Sequence, residues 1–297
     1  MKKTTKMIKM AICYDFDGTL SPQYMQNVSF LPALGYGESK EFWDEVKECA
    51  KKQNMDETLA YMNLMIDKAK EKNIALTPRF LMQCGKNIQF FPGVLNWFER
   101  INDYAKSKGI VLEHYIITSG NEEIIRGTKI KKFFKYIFAC KFAYKFVKSE
   151  LIAEKPAAAV NYTNKTQHLF RINKGIFNYW QNEEVNRYMP EEQKYLDFKN
   201  MIYIGDGETD VPCMKMVIYQ GGHAIAVYNP QLKTQKAKRN ENGKIIQTKK
   251  KSSYEVAKDL LAHKRVNFIA PTDYSENSKL DQIVKNIIDR IYLKNVS

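Results

Sequence analysis

Short apolar runs separated by amphipathic stretches and polar breaks recur along the whole chain. Met7 to Tyr14 is apolar apart from Lys9 and predicts a strand. About Glu38 to Asn87 reads instead as helices. Asn54 with Glu57 has the form of a capping box, and Leu59, Met62, Ile66 and Ala69 then share a face. Thr77 before Pro78 marks another helix start, an N-cap followed by proline at the first helical position. "FPG" at Phe91 to Gly93 is punctuation, and a helix over Val94 to Ser107, ended by Gly109, is expected. "VLEHYIITSG" predicts a second strand and "NEEIIRG" a helix. "YIFACKFAYKF" predicts a strand with a lysine-bearing face, and Lys165 to Gly175 a helix. "KNMIYIGDGETD" is a strand ending at Asp206, and "HAIAVYNP" another. Residues 232–251 read as a polar loop. "SSYEVAKDLLAHK" and "SKLDQIVKNIIDRIYLKN" read as helices, the last with Leu280, Ile283, Ile287 and Ile291 as its apolar stripe.

Alternating strands and helices predict an α/β fold: a Rossmann-like, mostly parallel sheet core with helices on both faces. The helical block between the first two strands is too long for an ordinary crossover and reads as an inserted α-helical cap. The expected division is residues 1–20 and 91–297 as core, the latter with the basic loop 232–251 and the C-terminal helices 252–297, and residues 21–90 as cap.

Composition narrows the class. The chain has 297 residues, 44% hydrophobic and 27% charged, as in ordinary globular proteins. No apolar run is long enough to span a bilayer. The first residues begin like a signal peptide, but Lys9 and Asp15 interrupt the apolar run and no small-residue cleavage site follows, so a cytoplasmic protein is expected. The five cysteines form no close pair and are expected to be reduced thiols. The formal net charge is +14, and eight basic residues against one glutamate fall between Gln231 and Lys251. A second basic stretch, Lys129 to Lys148, interleaves lysines with aromatics. No binding fold accompanies either stretch, so nucleic acid is not an expected partner. "GYGESK" at Gly35 lacks a third glycine and a preceding strand, and His114 and His223 have no metal-spaced partner, so neither marks a cofactor or metal site.

Three strands end in residues suited to phosphate and cations: Asp15, Asp17, Gly18 and Thr19 after the first; Thr118, Ser119 and Gly120 on the second; Gly205, Asp206 and Gly207, then Asp210, on another. Carboxylates two apart on an extended segment point to one side and repel, so a bound divalent cation is the expected compensation. Ligands of open α/β sheets bind outside the carboxyl ends of the strands, where these segments would converge.

"DFDGT" at Asp15 to Thr19, "IITSG" around Ser119, a downstream lysine and "GDGETD" at Gly205 to Asp210 resemble the motifs of the haloacid dehalogenase-like hydrolase superfamily. The likeness covers roughly Ile8 to Tyr228 without the cap. It implies an aspartyl-phosphate on Asp15 as nucleophile, with Asp17 as general acid and then base. It implies Mg2+ held by Asp15, the Asp17 carbonyl and Asp206, with Asp210 as a further acidic partner. Ser119, with Thr118 the alternative in register, Gly120, Thr19 and a lysine would contact the phosphoryl oxygens. Lys165 is preferred for that lysine, ahead of Lys174 and then Lys155. A magnesium-dependent phosphomonoesterase of a small phosphorylated metabolite is therefore expected. Asp17 argues against carbon–halogen cleavage, and a phosphomutase or phosphotransferase of the same fold is the alternative. Phe42, Trp43 and Tyr61 in the cap would line its pocket or pack its helices, and helical spacing favours packing.

Overall fold

Ile8–Tyr14 form β1 at the middle of a seven-stranded sheet. The protein is described by a computed structural model covering residues 8–234 and 251–296, together with the short strands Lys238–Arg239 and Ile245–Gln247. In chain order the elements after β1 are α1 (Met25–Val28), α2 (Phe30–Ala33), α3 (Ser39–Gln53), α4 (Glu57–Glu71), α5 (Pro78–Gly85), α6 (Val94–Ser107), β2 (Ile110–Asn121), α7 (Glu122–Arg126), β3 (Phe134–Val147), β4 (Glu150–Ala158) and α8 (Lys165–Lys174). There follow α9 (Asn182–Asn186), β5 (Met201–Gly205), α10 (Val211–Tyr219), β6 (His223–Tyr228), β7 (Lys238–Arg239), β8 (Ile245–Gln247), α11 (Ser253–Ala262), β9 (Phe268–Pro271) and α12 (Lys279–Val296).

The sheet order is β4-β3-β2-β1-β5-β6-β9; every neighbouring pair is parallel except β3 and β4. Met10 to Tyr14 and Met201 to Ile204 are fully buried without alternation, the signature of strands covered on both faces. Chain direction across the sheet reverses between β1 and β5, which opens a crevice at their carboxyl ends. The α/β expectation is met.

Beneath that crevice a polar chain is threaded through the core. Trp97 Nε1 donates to Tyr14 Oη at 2.8 Å, Tyr14 Oη lies 3.1 Å from His114 Nδ1, and His114 Nε2 lies 3.0 Å from Asn102 Oδ1. His114 is thus a packed histidine with both ring nitrogens occupied, and burial pushes its pKa down to about 3. All five cysteines are free thiols.

Helix starts and turns differ from expectation in particular places. Thr77 caps α5 as expected, its Oγ1 accepting from the Phe80 amide at 3.0 Å. The Asn54–Glu57 box does not form. Asn54 instead ends α3 in the left-handed region at φ 48°, and Asp56 caps α4 by accepting from the Thr58 and Leu59 amides. Asn tolerates that conformation at a helix end, and a carboxylate is as good a cap as an amide. The α4 stripe buries Met62, Ile66 and Ala69, while Leu59 remains partly exposed. Two strands of the main sheet were not anticipated. β4 folds back on β3 through Lys148 and Ser149, both at positive φ, and β9 completes the sheet edge between the last two helices. The expected loop 232–251 contains the antiparallel pair β7–β8; Lys236, Lys244, Lys249 and Lys250 lie outside the described residues, as do Met1 to Met7. In the other basic stretch, Phe138 and Phe142 are buried in the core rather than presented for stacking. No helix among the described residues is long and apolar enough to cross a membrane.

Candidate active site

The chain leaves β1 through a tight loop. The Asp15 amide still bonds to the Ile204 carbonyl of β5 at 3.0 Å, and the Phe16 carbonyl accepts from the amides of Thr19, Leu20 and Ser21. Gly18 sits at φ +77°, and a Cβ built on it would lie 2.2 Å from Asp206 Oδ2. Both the turn and the approach of Asp206 therefore need a residue without a side chain. The loop sends Asp17 outward from Asp15, to where its Oδ1 accepts the Met25 amide of α1 at 3.1 Å.

Asp15 is nearly enclosed and meets Lys165, the first residue of α8, at 3.1 Å from Oδ1 to Nζ. The same ammonium lies 2.8 Å from Asp210 Oδ1, which also accepts from the Tyr203 hydroxyl at 2.8 Å. Asp210 ends a single 3-10 turn before α10 and is fully buried. A Cβ on Gly205 would lie 2.4 Å from Asp210 Oδ2, so the β5 terminus is cut to fit that carboxylate. Burial of one cation between two carboxylates is sustainable only because each charge is paired and hydrogen-bonded.

The charges act on one another in a consistent direction. Burial pushes the Asp15 carboxyl up to about 6, against the pull of the Lys165 ammonium. Burial and the neighbouring Asp15 push Asp17 and Asp206 well above the usual carboxylate range. Burial works against the Lys165 ammonium, but Asp15 and Asp210 outweigh it and raise its pKa. Carboxylate oxygens of Asp15, Asp206 and Asp210 all come within 4.8 Å of one another. That is a hard, oxygen-only donor set, and the missing side chain at Gly18 keeps it open to a small cation, so the residues present fit Mg2+.

Asp15, Asp17, Thr118, Ser119, Gly120, Lys165 and Asp206 line one cavity of about 460 Å3. Thr19 does not join them: it is fully buried, with Oγ1 unpartnered, and its carbonyl accepts from the Tyr274 hydroxyl. Lys174 points elsewhere, to the carbonyls of Val185 and Arg187. The opposite wall comes from the helices between β1 and β2, through Gln26, Trp43, Lys47, Glu57 and Tyr61. Trp43 and Tyr61 thus line the cavity as well as pack, while Phe42 is wholly core. Sequence reasoning missed Tyr24 and Tyr162, which also line the cavity. Tyr162 gave no periodic signal, because it stands in a single 3-10 turn leading into α8; its nearness in sequence to Lys165 was the available clue.

Comparison with known proteins identifies the family and the fold. The family model described as haloacid dehalogenase-like hydrolase matches residues 12–215, more than half the chain. An uncharacterised protein of Borreliella burgdorferi is 29% identical over 296 residues, covering 91% of this chain and 93% of its own. Among solved structures, a probable phosphoserine phosphatase from Vibrio cholerae, unliganded, superposes with a TM-score of 0.54 at 12% identity, over 99% of this chain and 68% of that one. A substrate-bound phosphoserine phosphatase superposes with a TM-score of 0.50 at 15% identity, over 95% and 99%. At such identities these two likenesses speak for the fold.

Proposed function

The chain belongs to the haloacid dehalogenase-like hydrolases, and we propose that it is a magnesium-dependent phosphomonoesterase that acts on a small phosphorylated metabolite through a phosphoryl group carried on Asp15. The observation that carries this reading is the buried Lys165 held between Asp15 and Asp210, with Asp17 on the same loop facing the same cavity. An ammonium fixed beside a carboxylate at the floor of a cavity can meet a phosphoryl oxygen next to the nucleophile, and a divalent cation would supply the remaining positive charge.

In the proposed reaction Asp15 attacks phosphorus, and the bond to the ester oxygen breaks. Asp17 gives its proton to that departing oxygen, so the alcohol leaves neutral. Water then attacks the phosphorus of the aspartyl-phosphate, Asp17 takes the water's proton, and the Asp15 carboxylate is regenerated as orthophosphate departs. Lys165 and the Ser119 hydroxyl hold the phosphoryl oxygens, while the Gly120 amide donates to Thr118 Oγ1 at 3.2 Å and the buried Thr118 supports Asp15 from the end of β2. Asp15, the Asp17 carbonyl and Asp206 would hold Mg2+, with Asp210 locking Lys165 behind them. Bound there, the ion neutralises phosphoryl charge and orients the ester. Residues 21–90 serve as the cap, closing over the leaving group and keeping bulk water from the acyl phosphate.

Phosphate release from an aryl phosphate, with magnesium and with a chelator, tests the reading. Wild type with magnesium should turn over, and Asp15→Asn should lose about a thousandfold or more in kcat. An Asp15→Asn enzyme as active as wild type would sink the assignment. Conversion of a sugar monophosphate into its isomer without free phosphate would move the protein to the phosphomutases.

A further inference from the structure

The wall of the cavity facing Asp15 carries three rings in mutual contact. Tyr24, Trp43 and Tyr61 stand in a row, with ring centroids 5.8 Å apart between Tyr24 and Trp43 and again between Trp43 and Tyr61. Tyr162 lines the same cavity from the other side of the crevice, three residues before Lys165. Two of these rings are pinned by their polar atoms: the Tyr61 hydroxyl donates to the Ser119 carbonyl at 2.7 Å, and Trp43 Nε1 donates to Asn27 Oδ1 at 2.9 Å. Tyr162 is placed at a cost. Its φ of 28° lies in the left-handed region, where a bulky side chain is strained, yet its ring is half exposed at the cavity instead of packed in the core. Strain kept without a packing reward suggests a ring positioned for a ligand.

The charged groups on that wall are of another kind. Lys47 and Glu57 are exposed on α3 and α4 and have no ion-pair partner among the described residues. Gln26 and Thr58 are buried polar groups of this wall, and the Gln26 Nε2 is committed to Asn121 Oδ1 at 2.9 Å. Rings that are already held in place bind flat partners with little loss of conformational freedom, whereas free lysine and glutamate side chains must be ordered first.

We infer that the leaving group of the substrate carries a planar aromatic or heteroaromatic ring, which lies against Trp43 between Tyr24, Tyr61 and Tyr162 while its phosphate sits on Asp15. This rests on the phosphomonoesterase reading and names the substrate class of that same site. Nucleoside monophosphates and phenolic phosphates share the chemistry, and the assay separates them.

The test measures binding apart from turnover. Asp15→Asn protein with magnesium is titrated calorimetrically with adenosine 5′-monophosphate, O-phosphotyrosine, O-phosphoserine and glycerol 3-phosphate, and wild type is assayed with the same four for kcat/KM. At least one ring-bearing ester should bind about tenfold more tightly than either aliphatic one, and which ring wins identifies the source. Trp43→Ala in the same background should bring that ratio close to one, while Trp43→Phe, which keeps a ring, should retain most of it. Equal affinities for all four, or tightest binding of O-phosphoserine through Lys47 and Glu57, would overturn the inference. Ring-selective binding by Asp15→Asn with no phosphate released from any ester by wild type would fault the hydrolase reading and leave the ring subsite standing.

Discussion

The two walls of the cavity solve different problems. The sheet side gathers Asp15, Lys165 and Asp210 almost out of contact with solvent, each charge satisfied by another. The helical side offers rings and solvent-facing charges: Tyr24, Lys47 and Glu57 are exposed and Trp43 is half-buried. On the first wall, position is enforced by the cost of leaving any buried charge unpaired. On the second, apolar contact and a few hydrogen bonds suffice, and the residues can be exchanged without collapsing the core. A wall of the first kind suits chemistry that is the same for every phosphomonoester. A wall of the second kind suits the choice among them.

The largest test of this contrast is Lys165→Met. It strands two buried carboxylates and should cost about 3–5 kcal/mol of stability along with at least a hundredfold in kcat. Thermal unfolding and phosphate release would both register it. A variant as stable as wild type would mean that the sheet-side wall is not held by its charges. Gly18→Ala should come next. The new Cβ has 2.2 Å to the Asp206 carboxylate and a positive φ to adopt, so magnesium should bind about ten- to a hundredfold more weakly, read by the magnesium dependence of the rate. Unchanged magnesium dependence would remove Asp206 from the ion's neighbourhood. The smallest effect is expected for Tyr61→Phe, which breaks the one hydrogen bond joining the helical wall to the Ser119 carbonyl. About 1 kcal/mol of stability should go, with a modest rise in KM and kcat nearly kept. A collapse of kcat would mean that the two walls are less separable than their burial indicates.

Much of the sheet-side wall was legible in the chain. Asp15, Asp17 and Asp206 follow strands that end in the apolar runs Met10 to Tyr14 and Met201 to Ile204, and a strand's end in a doubly covered sheet can present side chains only at its edge. Lys165 was harder to assign. A lysine opening a helix is ordinarily solvated, and only the packing of α8 against α10 brings it to Asp210. Thr19 shows the reverse: it adjoins the aspartates in sequence, but the turn at Phe16 to Ser21 rolls it into the core.

Local patterning along the chain determined the strand ends, the Thr77 cap, the α/β alternation and the insertion between β1 and β2, because each depends on neighbours within a few residues. Tertiary structure alone decided that Asn54 ends a helix, that β4 and β9 complete the sheet, that Lys165 rather than Lys174 reaches Asp15, and that Trp43, Tyr24 and Tyr162 face one space. Those outcomes depend on which surfaces meet across tens or hundreds of residues, and hydrophobic periodicity records that a face is covered without recording what covers it.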